Sequence, residues 1–552
     1  MTKDMFILID NAKKYKTQTI HRVPVADRGV QPKAAQRYLY SSTTLSRQIP
    51  QEVVAKSQPA GSHSKWQLSG DHFPWIIGGL WTLLLSLAAH SEMPAMIIAC
   101  VEIVFYVYNT ILARSANTPM VPESMSRDIM ELWGNCLEYS PDGPQDFLEG
   151  WFYDSPLSSI TKQDVLEFLA WGSCSTTWEL LSEQSKEDMF AVYDLFERKL
   201  EHTFPERAQG QEPLPCMRFS IEPFEYKHKP TSYYWVCSFL LGLAGKTSMM
   251  GLGFSRHRSR ALDYWVRIPE SEEARKRTPI VFVHGIGVGL AMYLQLIKEL
   301  LTNDCPVVCI ELPFISSKLG AYDVPKISQQ VASVEALCTR WGFGKAMFVG
   351  HSYGSVMLSW MAQHLPERVA GLAFIDPVVL MLNLKHVLYN FLYKNDGADG
   401  IADIIGSELG VNIALRRNFW WYRNVLWACD LQRNNLPTVV CLSENDEIGP
   451  ALAVEKHIAQ HAQATAAAND ETCVESYMMP GASHGGFLFD ADMLKSLSAR
   501  IHQHYSQIQT SSERPAAAHS RAGGQRARRS VRRRSMNPAR SKSQENLDVL
   551  LY

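Results

Sequence analysis

The sequence predicts an α/β protein built on a mostly parallel sheet. Short, nearly uninterrupted apolar runs recur in the second half of the chain, at 279–283, 307–310, 346–349, 372–375 and 439–442, and a strand-like stretch follows at 474–479. Runs of that length suit strands covered on both faces by helices. Helical spacing of apolar residues follows or precedes them, as at 327–341 and 356–360,. Two of the runs end in glycine-rich turns, the mark of a strand passing sharply into a helix.

The elements before the sheet read as follows. Residues 1–72 are polar and rich in Ser, Gln, Lys and Pro, and are expected to be disordered with at most local helix,. Residues 73–89 then form an uncharged run, and 93–113 carry one charge, Glu102. Separated only by His90, Ser91 and Glu92, they predict a membrane hairpin, spanning or deeply inserted; two buried helices of a soluble domain are the alternative. Lys65 before the pair and Arg114 after it place both ends in the cytosol,. Glu102 argues against a simple span, because a carboxylate in lipid is costly. Residues 114–250 are expected to be a helical region packed on the sheet domain, with Ser124, Thr161 and Ser185 as N-caps,. Its tryptophans 133, 151, 171 and 178 are read as core. The apolar run 233–245 is too short to span; it suits an interfacial or re-entrant segment, or a buried helix.

The chemistry-bearing motifs lie in the sheet region. Gly350-His351-Ser352-Tyr353-Gly354 sits between an apolar run and a helical pattern. Such a turn leaves a serine hydroxyl exposed near a helix N-terminus, and its glycines avoid collisions with the neighbouring strand and helix. His284-Gly285-Ile286-Gly287 follows the run at 279–283. The N–H of Ile286 and that of Tyr353 are the candidate pair for stabilising an oxyanion. Asp446 ends the run at 439–442 and is the candidate partner for a histidine, with Asp376, Glu444 and Glu447 competing,. Asp376 could instead cap the segment that starts at Pro377. His484, in Gly481-Ala482-Ser483-His484-Gly485-Gly486, is flanked by small residues that let its ring reach the serine.

The motifs His284 to Gly287, Gly350 to Gly354 and Gly481 to Gly486, in the order Ser352, Asp446, His484, resemble the α/β-hydrolase superfamily over residues 255–507, in its serine-nucleophile, esterase- and lipase-like branch,. The resemblance implies the α/β-hydrolase fold, and acyl transfer from an ester, thioester or amide through an acyl-enzyme. It implies no metal and no organic cofactor. The fold hosts many chemistries, so the substrate stays open.

Residues 377–436 separate two strands by far more than a plain crossover needs and predict an inserted cap within the domain 251–507,. It is rich in aromatics (Tyr389, Phe391, Tyr393, Phe419, Trp420, Trp421, Tyr422, Trp427) and in basic residues (Lys385, Lys394, Arg416, Arg417, Arg423). It suits a lid over an acyl pocket near anionic headgroups, or a small core of its own. Residues 508–552 are expected to be a disordered basic tail. From 513 onward it holds ten Lys or Arg against three acids, while the whole chain of 552 residues has a net charge of −2. Ser530 and Ser535 follow arginine runs and resemble basophilic-kinase sites; an anionic-lipid surface, an import-like patch or a merely solvated run are the other readings. The overall balance has no nucleic-acid signature.

Eleven scattered cysteines without paired spacing suggest free thiols in a reducing compartment,. Together these features predict a membrane-associated serine hydrolase of lipid-like or hydrophobic esters, its catalytic domain facing the cytosol at the endoplasmic reticulum or a lipid-droplet surface. An acyltransferase on the same site, or a non-catalytic scaffold or ligand-binding protein, are the alternatives.

Overall fold

The computed structural model describes residues 93–513, less 121, 123–126, 225, 395–404 and 469. The expected disorder of 1–72, the first leg of the hairpin and the kinase-like serines 530 and 535 lie outside the described residues, as does Ser124.

Among the described residues, eight strands form one sheet: β1 Ser255–Ser259, β2 Leu262–Arg267, β3 Ile280–Val283, β4 Val307–Glu311, β5 Ala346–His351, β6 Val369–Ile375, β7 Thr438–Asn445 and β8 Val474–Ser483. Their spatial order is β1-β2-β4-β3-β5-β6-β7-β8. β2 runs antiparallel to β1 and β4, and the other pairs are parallel. The apolar runs therefore hide a period of two. In β3, Val281 and Val283 join one core layer, while Ile280 and Phe282 join the other. The first layer takes Val334 and Leu337 of helix Ile327–Trp341, and the second takes Leu497 and Ile501 of helix Ala491–Glu513. That last helix passes the expected boundary at 507, so the segment 508–513 is helix and not tail. The first two strands gave no apolar run: β1 is Ser-Arg-His-Arg-Ser, a polar edge,.

The helical region holds helices Ile129–Glu138, Pro144–Trp151, Lys162–Cys174 and Glu183–Leu200. Thr161 caps the third with a reciprocal bond to Asp164,. Ser185 is not the cap of the fourth; Ser182 is, its side chain accepting the Ser185 N–H,. Trp133, Trp151 and Trp171 are buried, whereas Trp178 is half-buried against Phe190. The core they form continues into the cap. Trp133 meets Trp421 edge-on at 5.5 Å, and a side chain at Gly172 would strike the Trp133 ring at 2.7 Å,. The helical region thus packs on the cap as one body of aromatics, and the cap lies between β6 and β7.

The cap arginines do not face lipid headgroups. Arg416, Arg417 and Arg423 are buried, and Arg417 donates to the carbonyls of Ala116, Ser220, Glu222 and Arg416. A guanidinium in that position ties three chain segments together, which requires it to leave the surface.

Helix Met93–Ser115 presents Met96, Ile103, Val104 and Ile111 to the outside. Its inner face is Glu102, Phe105 and Asn109, at helical spacing. The Glu102 carboxylate accepts the Thr231 N–H at 2.9 Å and also the Thr231 hydroxyl. This satisfies an orphan donor at the start of the next helical stretch, so Glu102 has a protein partner and is not left facing lipid. That stretch runs through Thr231–Tyr234, a π-turn at Trp235–Leu241 and Gly242–Gly251. It is neither fully buried nor detached. Tyr234 and Met249 are buried, while Val236, Leu240, Leu241 and Leu243 are exposed.

Candidate active site

The carboxyl ends of β3, β5, β6, β7 and β8 converge on one point. β5 ends at His351, and Ser352 takes φ 52°, a left-handed conformation that turns the chain at once into helix Gly354–His364. The turn closes only because two residues lack a side chain. A Cβ at Gly354 would lie 2.2 Å from the Val283 carbonyl oxygen, and one at Gly350 would lie 2.8 Å from Leu358,.

Ser352 Oγ is 2.9 Å from His484 Nε2, and His484 Nδ1 is 2.9 Å from Asp446 Oδ2. With Nδ1–H donating to the carboxylate, Nε2 is left to accept the serine hydroxyl. Asp446 follows β7 directly, and its other oxygen accepts the N–H groups of Ile448 and Gly449, both at 2.8 Å. Burial alone would lower the His484 pKa. The hydrogen bond and charge of Asp446, with the charges of Asp376 and Glu447, outweigh burial and hold it above the ordinary histidine value,.

The competing acids sit around this pair in other contacts. Glu444 accepts the Gly481 N–H at 2.7 Å and Glu447 accepts the His484 N–H at 3.1 Å, so both hold the backbone of the histidine loop. Asp376, the alternative acid, accepts the Ser443 N–H and hydroxyl and the Gly485 N–H. It therefore neither takes the place beside His484 Nδ1 nor caps the segment after it. Asp376, Asp446 and His484 bring ligand atoms within 4.8 Å of one another, enough to hold a cation. Their hydrogen bonds account for all three without one.

The glycine-rich loop lies over the serine. His284 donates to the Gly285 carbonyl and accepts the Leu312 N–H, which pins the loop to the chain after β4. Gly287 N–H bonds Ile315, and Gly285 N–H bonds the Tyr293 hydroxyl. Among the described residues, the N–H groups of Ile286 and Tyr353 have no partner within the protein. Both residues line a cavity with Ser352, of about 30 Å³. Its other walls include Val387, Leu388, Phe391, Leu415 and Phe419 from the cap, all apolar. Of these the sequence had singled out only the aromatics. Tyr293 belongs to no sequence motif that marks it.

Residues 278–399 match the family model described as alpha/beta hydrolase fold. The chain carries an α/β-hydrolase domain. It is 30% identical over 118 residues to the abhydrolase domain-containing protein abhd-5.2 of Caenorhabditis elegans, and 29% identical over 106 residues to a pyrethroid hydrolase of Sphingobium wenxiniae. Those matches cover 20% and 18% of this chain, and only 26% and 36% of the relatives' own lengths. The chain is also similar to the crystal structure of a membrane phospholipase A, at 16% identity and a TM-score of 0.36, over 50% of this chain and 93% of that one.

Proposed function

We propose that this protein is a membrane-associated serine hydrolase that cleaves hydrophobic carboxylic esters through an acyl-enzyme. The carrying observation is the pair of 2.9 Å contacts linking Ser352, His484 and Asp446 beside an apolar cavity. Ser352 Oγ attacks the ester carbonyl while His484 Nε2 takes its proton. Asp446 holds the ring and stabilises the imidazolium. The N–H groups of Ile286 and Tyr353 receive the developing oxyanion, for which both are unpaired. His484 then protonates the leaving alcohol and activates water for deacylation.

The cavity walls favour an acyl chain over a polar group. At about 30 Å³ the cavity holds little more than a small molecule's end, so the cap must yield as substrate enters,. Membrane association rests on helix Met93–Ser115. Its stretch from Met96 has a mean hydropathy of 1.9 and only 11% of it is buried, so its apolar side chains need a cover,.

A fluorophosphonate probe tests the reaction class. Wild-type protein should be labelled and should hydrolyse p-nitrophenyl butyrate. Ser352→Ala should lose both, with turnover falling by several orders of magnitude. Comparable turnover by Ser352→Ala would remove Ser352 as nucleophile.

A further inference from the structure

We infer that Tyr293, His351 and Asp376 form a buried brace that holds the oxyanion loop and the histidine loop in register across the nucleophile elbow, and that all three are positioning residues. The inference rests on the assignment of Ser352 as nucleophile.

The hydrogens follow from the bonding. Gly285 N–H, in the oxyanion loop, must donate, so it takes an oxygen lone pair of Tyr293 at 3.0 Å,. The tyrosine's own hydrogen is assigned to His351 Nδ1, at 2.8 Å, the assignment that also turns a ring proton toward the Asp376 carboxylate,. Nδ1 therefore accepts, and the ring proton sits on Nε2. That nitrogen is buried without a hydrogen-bond partner, and faces Asp376 Oδ2 at 3.9 Å. Asp376 Oδ2 in turn accepts the N–H of Gly485, the residue after His484, at 2.9 Å.

The ring is also wedged sterically between the two loops. A Cβ at Gly285 would lie 3.0 Å from His351 Nδ1, and one at Gly485 would lie 3.3 Å from His351 Cε1. Each loop thus touches a different edge of one imidazole. The brace has a conformational cost. Asp376 takes φ 42°, in the left-handed region, as Ser352 does. A non-glycine residue there is strained and persists only where its surroundings over-determine it. The three bonds to the Asp376 carboxylate are that determination. Burial and the neighbouring histidines 484 and 284 keep the His351 pKa well below the ordinary value, so the ring stays neutral.

Three measurements on the full-length protein test the brace, with p-nitrophenyl butyrate as substrate. Tyr293→Phe frees the Gly285 amide, and should lower kcat about 10- to 100-fold with KM changed less than about 3-fold. His351→Gln should act through the same contact. The double variant should then be no more than about 3-fold worse than the weaker single one, where independent residues would multiply. Asp376→Asn should move the acid limb of kcat/KM to lower pH. The groups facing His484 are Asp446, Asp376, Glu447 and His351, and removing one carboxylate lowers its pKa,. A purely structural role would leave that limb in place. Multiplicative loss in the Tyr293→Phe/His351→Gln pair, or an unmoved acid limb in Asp376→Asn, overturns the brace. If Tyr293→Phe fails to fold, the His351→Gln/Asp376→Asn pair decides by the same rule: a double variant no more than about 3-fold worse than the less active single one supports the brace, and multiplicative loss overturns it. Turnover retained by Ser352→Ala would sink the nucleophile assignment. Loss in Ser352→Ala with no effect in the other variants would sink the brace and leave the nucleophile standing.

Discussion

At the scale of single residues, the site depends on one histidine held between two opposed demands. His484 is buried, which favours its neutral form, yet a carboxylate grips its Nδ1 and favours the charged form. The second effect is the stronger. A general base works only when neutral, so kcat/KM should rise with pH through a value above the ordinary histidine pKa of about 6.5. Asp446→Asn removes both the charge and the correct ring orientation. Its kcat should fall by roughly 10³- to 10⁴-fold. Its acid limb should move down, because burial then acts with less opposition. The ratio of wild-type to variant activity should consequently shrink toward acid pH, where wild-type His484 is already protonated. A pH–rate profile from pH 5 to 9 checks this. An acid limb that stays in place would place the carboxylate effect elsewhere. The residues named by the sequence, Ser352, Asp446 and His484, are the ones the fold brings together. Their chain order and flanking glycines made them legible. Tyr293 and the backbone-holding roles of Glu444 and Glu447 were not, because a hydroxyl or carboxylate that serves a distant amide leaves no local pattern.

At the scale of elements, the cap walls the cavity beside Ser352. Its helix Leu409–Asn418 puts Leu415 into the cavity wall and sends Arg417 the other way, into the carbonyls of Ala116, Ser220 and Glu222. Glu408, just before that helix, caps it through the Val411 N–H and accepts the Tyr234 hydroxyl at 2.6 Å. The cap is thereby tied to both apolar helical stretches. Arg417→Ala would leave several buried carbonyls without a donor and open a void, and should destabilise the protein by about 2–4 kcal/mol. Urea unfolding followed by tryptophan fluorescence should show a lower midpoint. A change below about 0.5 kcal/mol would mean that water replaces the guanidinium. Composition alone suggested a headgroup-facing role for these arginines. Charge predicts exposure only on average; a planar group with five donors can be buried wherever chain ends converge.

At the scale of the whole molecule, one flank carries exposed apolar side chains on helix Met93–Ser115, and Val104 and Ile111 are each at least 60% exposed. Replacing both by Asp should shift the protein out of the membrane fraction, since each charge in an apolar environment costs about 2.5–3.5 kcal/mol. Turnover of a soluble ester should stay within about 2-fold, because neither residue lines the cavity. Sedimentation after carbonate washing measures the first effect. Unchanged partition of the double variant would leave this face without a lipid role.

What the sequence determined by itself is local or periodic: the buried strands of a parallel sheet, the turn that must carry glycines, the chain order of Ser352, Asp446 and His484, the insertion between β6 and β7. Each follows from side-chain size or spacing within a short window, where steric rules act directly. The tertiary structure alone decided what the competing acids Asp376, Glu444 and Glu447 hold instead, that the helical region shares its core with the cap, that Glu102 ends on Thr231, and that a polar strand closes the sheet's edge. These depend on contacts between residues far apart in the chain, such as Glu102 with Thr231 or Trp133 with Trp421. Their energies appear only once the backbone has brought the partners within a few ångströms, and no window of sequence contains that distance.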